Sequence, residues 1–219
     1  MALNLEKARF NMVEQQVRTW DVLDHRVLDV LRTVPREDFV PSRYRRLAFT
    51  DVRIPLAQGQ VMMKPVEEGR MLQGLDIQAG QRVLEIGTGS GFISACLSAL
   101  GAEVVSLEIF PELAERAATK LERAGVKNVE VRQADGLHCG DFSDRFDAVV
   151  VTASVAVMPP RLMELVKTGG LIFAVCGQTP AMEAVCMRQT EPRRWDTQSL
   201  FETDLPRLIG AEDPPTFEF

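Results

Sequence analysis

The stretch Glu85-Ile86-Gly87-Thr88-Gly89-Ser90-Gly91 sets an acid ahead of three glycines on alternate positions. Glycine lacks a Cβ and reaches φ > 0 at little cost, so such a run lets the backbone pass close beneath a ligand. Open α/β sheets hold their ligands beyond the carboxyl ends of the strands, and a turn of this kind after the first core strand is suited to a nucleotide-like molecule. Glu108 then closes Val104-Val105-Ser106-Leu107-Glu108, where a carboxylate can accept both hydroxyls of a ribose. After the next strand, Asp135-Gly136 is placed to bring a carboxylate near an adenine amino group, with Gly136 leaving room for the ring. Thr152-Ala153 ends a fourth strand in small residues that border the reacting centre. Plainer readings stand beside these: a buried structural acid for Glu85, a solvated strand-end acid for Glu108, and a turn residue for Asp135. His138 reads as a surface residue rather than a base.

The spacing separates two cofactor classes. A dinucleotide fingerprint, GxGxxG, would need its last glycine at position 92, where this chain has Phe92. The observed GxGxG behind Glu85 favours S-adenosylmethionine, whose ammonium the carboxylate can meet directly or through water, whereas a pyrophosphate would be repelled. Glu108 alone does not distinguish the two. A nicotinamide oxidoreductase is further disfavoured because the chain has a single tyrosine, Tyr44, and no evident Tyr-Lys pair. The candidate cofactor-binding set is therefore Glu85, Gly87, Thr88, Gly89, Gly91, Glu108, Asp135, Gly136 and Thr152.

The elements that must position these residues follow from hydrophobic periodicity. Arg82 to Ile86 is a short apolar strand, Phe92 to Leu100 a helix, Glu103 to Leu107 a strand, and Pro111 to Ala124 a helix with proline at its first turn. Val129 to Arg132, Ala148 to Thr152 and Leu171 to Val175 supply further strands, the second of them nearly all valine and apolar as a strand buried on both faces should be. The alternation predicts an α/β fold: a Rossmann-like, doubly wound, mainly parallel sheet covered by helices. Ahead of it, helices over Asn4 to Trp20 and Asp24 to Thr33 form an N-terminal helical extension, with Pro35 forcing an exit from the second. Val40 to Pro65 is irregular and punctuated by prolines, Val66 to Leu75 is helical, Ala184 to Arg188 and Leu200 to Leu205 are strands, and Gly210 to Phe219 frays. The expected division is residues 1–75, helical extension and substrate loop, and residues 76–219, the cofactor-binding core.

The 219 residues carry 46% hydrophobic and 26% charged side chains with a net charge of −6, an ordinary globular balance that opposes attraction to nucleic acid or an anionic membrane. The one basic cluster, Arg43-Tyr44-Arg45-Arg46, reads as a solvated helix face. Cys96, Cys139, Cys176 and Cys186 lack CxxC spacing and only His25 and His138 are available to join them, so no metal site is expected. The start reaches charge at once and no apolar run spans a bilayer, which predicts a cytoplasmic protein with reduced thiols.

Beyond single motifs, the chain resembles the protein-L-isoaspartate O-methyltransferase family over most of its length. Met12 to Arg18 and Val34-Pro35-Arg36-Glu37-Asp38-Phe39-Val40-Pro41 are similar to its N-terminal helices and "VPR..FVP" segment, and Val83 to Phe92 to its "VLEIGTGSGY" loop. Asp147 to Ala153 with Val157-Met158-Pro159 and Leu162, Gly169-Gly170-Leu171, and Leu200 to Gly210 resemble three later runs. The resemblance implies methyl transfer from S-adenosylmethionine to the free carboxylate of an isoaspartyl residue in damaged protein. It also implies an acceptor loop. The family's "GQTISQP", whose hydroxyls help hold the substrate, stands here as Gly59-Gln60-Val61-Met62-Met63-Lys64-Pro65. Val61 replaces the threonine and Met63 the serine, making Met63, Val61 and Lys64 the candidate acceptor-side residues, with Lys64 either offering its ammonium to a carboxylate or simply solvated.

Two alternatives follow from that apolar loop. One is a methyltransferase for a different, more apolar acceptor, conceivably a small molecule, since methionine adapts to irregular apolar ligands. The other is a non-catalytic module that keeps the cofactor cleft and binds a partner protein through the altered loop. The sequence leaves the oligomeric state open.

Overall fold

The computed structural model describes residues 4–138 and 142–211. Cys139 and most of the C-terminal tail, 212–219, lie outside them.

The helical extension begins with α1 (Leu5–Met12), capped by Asn4, whose side-chain oxygen accepts from the Lys7 amide at 2.9 Å. It runs on through one π turn (Val13–Val17) and one 3-10 turn (Arg18–Trp20), and Asp21 stops it in the left-handed region at φ 58°. α2 (His25–Thr33), capped by Asp24, buries Val27, Leu28, Val30 and Leu31 on one face. The chain does leave this helix near Pro35, but resumes at once as α3 (Arg36–Phe39), followed by a 3-10 turn over Ser42–Leu47. The Val40 to Pro65 segment contains a short hairpin, β1 (Ile54–Pro55) with β2 (Val61–Met62), and leads into α4 (Pro65–Leu75).

The core alternates β3 (Arg82–Ile86), α5 (Phe92–Ala99), β4 (Glu103–Glu108), α6 (Pro111–Arg123), β5 (Val129–Gln133) and β6 (Phe146–Val155). Then follow α7 (Pro160–Glu164), β7 (Val166–Gln178), β8 (Ala181–Glu191) and β9 (Arg194–Thr203). One seven-stranded sheet has the order β5-β4-β3-β6-β7-β8-β9. Pairing is parallel from β5 to β7 and antiparallel between β7, β8 and β9, so the Rossmann-like α/β expectation holds. Chain order reverses about β3, with β4 on one side and β6 on the other, which makes the carboxyl end of β3 the crevice such sheets use.

β9 starts at Arg194, well before the expected Leu200, and the reason is positional. It is the edge strand, mostly exposed through Ser199, so its residues carry no apolar pattern and are held by backbone pairing to β8. α7 and the small hairpin also escape periodicity because each is too short to show one.

The hydrophobic core crosses the expected boundary near residue 75 without interruption: Met12, Leu31 and Leu72 belong to the same buried cluster as Val83, Leu97 and Val150. On the other face of the sheet a second cluster joins Leu84, Leu107, Val149, Val151 and Ile172. Leu84 is fully buried in the central strand, so Leu84→Ala is expected to cost about 2–5 kcal/mol of stability. Urea unfolding checks this, with a lowered midpoint at unchanged slope; a loss below about 1 kcal/mol would show that the sheet's second face is loosely packed.

Candidate active site

The loop after β3 is pinned from three directions. From β4, the Leu107 carbonyl accepts from the amides of Gly87 (2.8 Å) and Thr88 (3.2 Å). From β6, the Thr152 hydroxyl points at the carbonyls of Gly87 (2.6 Å) and Ile86 (3.1 Å). At the end of β4, Glu108 accepts from the Gly89 amide at 2.8 Å through one oxygen and from the Phe110 amide at 3.1 Å through the other. Gly87 and Gly89 both have positive φ, 97° and 53°, and a Cβ on Gly87 would stand 2.5 Å from the Thr152 hydroxyl. The glycine is required by that contact as much as by its backbone angle.

Beneath the loop lies a chain of buried hydroxyls. Ser106 and Ser94 both donate to Oε2 of Glu85, Ser106 at 2.6 Å. With its proton committed there, Ser106 accepts from the Thr88 hydroxyl at 2.6 Å. Glu85 is fully buried, its Oε1 has no partner among the described residues, and burial raises its carboxyl to about pH 7 against two serine donors that oppose the shift.

Two clefts meet at this loop. The longer, about 560 Å³, is bounded by Gly87, Gly89, Glu108, Asp135, Thr152 and the C-terminal run Arg207-Leu208-Ile209. The smaller, about 320 Å³, is lined by Val61, Met62, Met63, Glu68, Glu85, Thr88 and Ser90 among others. Val61, Gly87, Gly89 and Thr152 border both.

Glu108 and Asp135 thus stand along the longer cleft. Asp135 forms a turn, accepting from the Leu137 amide at 2.9 Å and pairing with His138 at 2.8 Å; burial acts to raise its pKa, and these bonds hold it below the usual carboxylate value. His138 is largely exposed. Gly136 lines the longer cleft as expected, and a Cβ there would fall 2.3 Å from Cγ2 of Ile86. Gly91 is not among the residues lining either cleft; it packs α5 against α6, where a Cβ would meet that of Ala117 at 3.3 Å. On the acceptor side, Val61 and Met63 line the smaller cleft and Lys64 does not. Lys64 precedes α4, where its amide donates to Glu67 at 3.0 Å.

Sequence reasoning missed the pair that supports the acceptor loop. Arg36 is fully buried, ion-paired with Glu68, and donates to the carbonyls of Met63 and Ala48, both at 2.8 Å. Its guanidinium lies 4.8 Å from the Phe92 ring centre. Burial raises Glu68 to about pH 7, with Arg36 opposing the rise. It also missed the segment closing the longer cleft, which is tied to β6 by Ser154: its amide donates to Pro206, its hydroxyl to Leu205 at 2.7 Å, and its carbonyl accepts from Leu208 at 2.8 Å.

An acid and glycine loop at the switch point, with Glu108 and Asp135 along one cleft and a second small cavity beside it, fits a methyltransferase of the Rossmann-like class. Comparison with known proteins is consistent with this. Residues 7–198 match the family model described as protein-L-isoaspartate(D-aspartate) O-methyltransferase (PCMT). A protein-L-isoaspartate O-methyltransferase of Methanoculleus marisnigri is 38% identical over 187 residues, 85% of each chain. Protein-L-isoaspartate O-methyltransferase 1 of Rhodopseudomonas palustris is 35% identical over 96% of this chain and 86% of its own. The fold is also that of a Plasmodium falciparum beta-aspartate methyltransferase (PCMT) solved with S-adenosyl-L-homocysteine, with TM-score 0.79, 16% identity, and coverage of 94% of this chain and 99% of that one. The chain belongs to the protein-L-isoaspartate(D-aspartate) O-methyltransferase family.

The raised Glu85 value has a definite sign. Between the ordinary 4.5 and about 7, the folded chain keeps a proton that the unfolded chain releases. Stability therefore falls as pH rises through that window and levels off above it. Glu85→Gln removes this group's share while Glu68 keeps its own, so the loss of stability between about pH 5 and about pH 8 should shrink by about 1–3 kcal/mol. Urea midpoints at both pH values decide it, and an equal loss in both proteins would place the Glu85 carboxyl in a wetter setting than its burial indicates.

Proposed function

We propose that this chain transfers the methyl group of S-adenosylmethionine to the side-chain carboxylate of an isoaspartyl residue in a protein or peptide. The observation that carries this reading is the continuity of the two clefts, which share four bordering residues at the turn. One cleft suits a nucleoside, and the other suits the cofactor's ammonium on its Glu85 side and a small acceptor group on its Val61 and Met63 side.

Several features of the chain fit the cofactor. The unpartnered Oε1 of Glu85 is a buried acceptor in want of a donor, and an ammonium at the smaller cleft would supply one, directly or through water. Glu108 spends one lone pair of each oxygen on a backbone amide, which aims the carboxylate and leaves capacity for two ribose hydroxyls. Asp135, fixed by its own turn, stands at the position for an adenine amino group. When bound, S-adenosylmethionine supplies a methyl electrophile on a leaving group that departs neutral.

Little else is then asked of the protein. A carboxylate acceptor is already an anion and needs no base, so alignment and exclusion of water can account for most of the acceleration. Met63 and Met62 are buried and give the cavity an apolar side, while Arg36 holds the Met63 carbonyl and with it the loop. The buried free thiols of Cys96 and Cys186 suit a reducing compartment such as the cytoplasm. A second reading rests on the same wall: with Val61 and Met63 where hydroxyls would hold a carboxylate, the acceptor is neutral and more apolar.

Incubation with methyl-labelled cofactor and an isoaspartyl peptide is expected to give a base-labile ester, with the aspartyl counterpart unlabelled. Met63→Ser, which offers the acceptor a hydroxyl, is expected to raise kcat/KM about tenfold, the worth of one hydrogen bond to a charged group. Label on neutral apolar acceptors with none on the isoaspartyl peptide, even for Met63→Ser, would replace the first reading with the second.

A further inference from the structure

On a chain of net charge −6, one cleft gathers four cations. Arg45, Arg116, Lys120 and Arg123 line a groove of about 1290 Å³, open to solvent, between the α3 and 3-10 region and the outer face of α6. Three of them recur at helical spacing along α6, so they form a stripe beside the apolar stripe of Leu113, Ala117 and Leu121 that faces the core.

Their charge is incompletely neutralised. Lys120 is partly buried, and its Nζ donates to the Phe39 carbonyl at 2.5 Å, with no carboxylate partner among the described residues. Arg123 makes no ion pair or hydrogen bond among those residues. Arg116 and Arg45 pair with Glu112 and Asp38, but all four side chains of these two pairs are about half exposed, where such pairs are weak and exchange partners readily. Of the two acids bordering the groove, Glu37 is held by Arg9 and Asp38 by Arg45. Among the described residues, Lys120 and Arg123 thus have no acid of their own, while Arg45 and Arg116 share their charge with Asp38 and Glu112. Burial, with Arg116 nearby, lowers the Lys120 pKa to about 8, as expected for a cation lacking an anion.

The groove also touches the active site. Its wall includes Leu56, Ala57, Gly89 and Ser90, so the Gly89 turn that borders both clefts forms the wall of the groove as well. Gly89 and Ser90 line the smaller cleft and the groove alike, so the two adjoin across this turn.

We propose that this groove is an exosite for an acidic stretch of the acceptor protein, a few residues along the chain from the one being methylated. The inference rests on the protein-carboxylate reading above, and its test has an arm independent of methyl transfer. A fluorescein-labelled peptide of alternating Gly and Glu, compared with its Gln counterpart, is titrated with the full chain and followed by anisotropy. The acidic peptide is expected to bind about tenfold tighter, with the difference fading as salt is raised. In the double variant Arg116→Glu/Arg123→Glu, whose exposed sites tolerate substitution, that preference is expected to vanish while the melting temperature stays within a few degrees. The ratio of kcat/KM for isoaspartyl peptides with acidic and Gln flanks is expected to fall about tenfold. Equal binding of the two peptides, a preference that survives in the double variant, or stronger binding of a short RNA than of the acidic peptide would overturn the exosite. Absence of methyl transfer to every peptide alongside a clear anisotropy preference would instead count against the carboxylate-acceptor reading.

Discussion

Everything at the crevice depends on a carboxyl group kept out of water. Glu85 sits at the end of the central strand and is tied by one oxygen to serines on β4 and α5, with Thr88 of the loop joining through Ser106. Four segments are locked by one acid, and the loop above them inherits their rigidity. Thr152 and Glu108 then hold the loop from the flanking strands. The arrangement costs desolvation, which raises the pKa of Glu85, and among the described residues its Oε1 has no partner.

A second buried charge organises the loop between β2 and α4. Arg36 joins α3, the loop at Ala48, the acceptor loop at Met63 and α4 at Glu68, and lies over Phe92 of α5. Buried ion pairs contribute little net stability relative to apolar packing, yet breaking one is expensive. Its value here is registry: the helical extension is held against the core so that Val61 and Met63 face the loop of glycines. The extension and the core therefore share one hydrophobic cluster and one site.

Much of this was legible in the residues themselves. The acid and glycine loop, the Glu108 strand end and the alternation of strands and helices carry their signal locally, through backbone freedom and period. What escaped was set by contacts between distant segments. Glu68 looks like an ordinary helix acid until Arg36 is folded against it, and Arg207 to Ile209 reach the cleft only because Ser154 ties them to β6. Gly91 reads as a ligand-facing glycine, and the fold adds a packing demand that the sequence does not show, since a Cβ there would meet that of Ala117. β9 was read as starting too late because an edge strand needs no apolar face.

The most direct measurement is calorimetric titration of the chain with S-adenosylmethionine, its demethylated product and NAD. Saturable one-to-one binding of the first two, with no heat from NAD, is the result expected of a loop with GxGxG spacing behind a buried acid. Binding of NAD in preference, or of none of the three, would contradict the assignment of this crevice to S-adenosylmethionine.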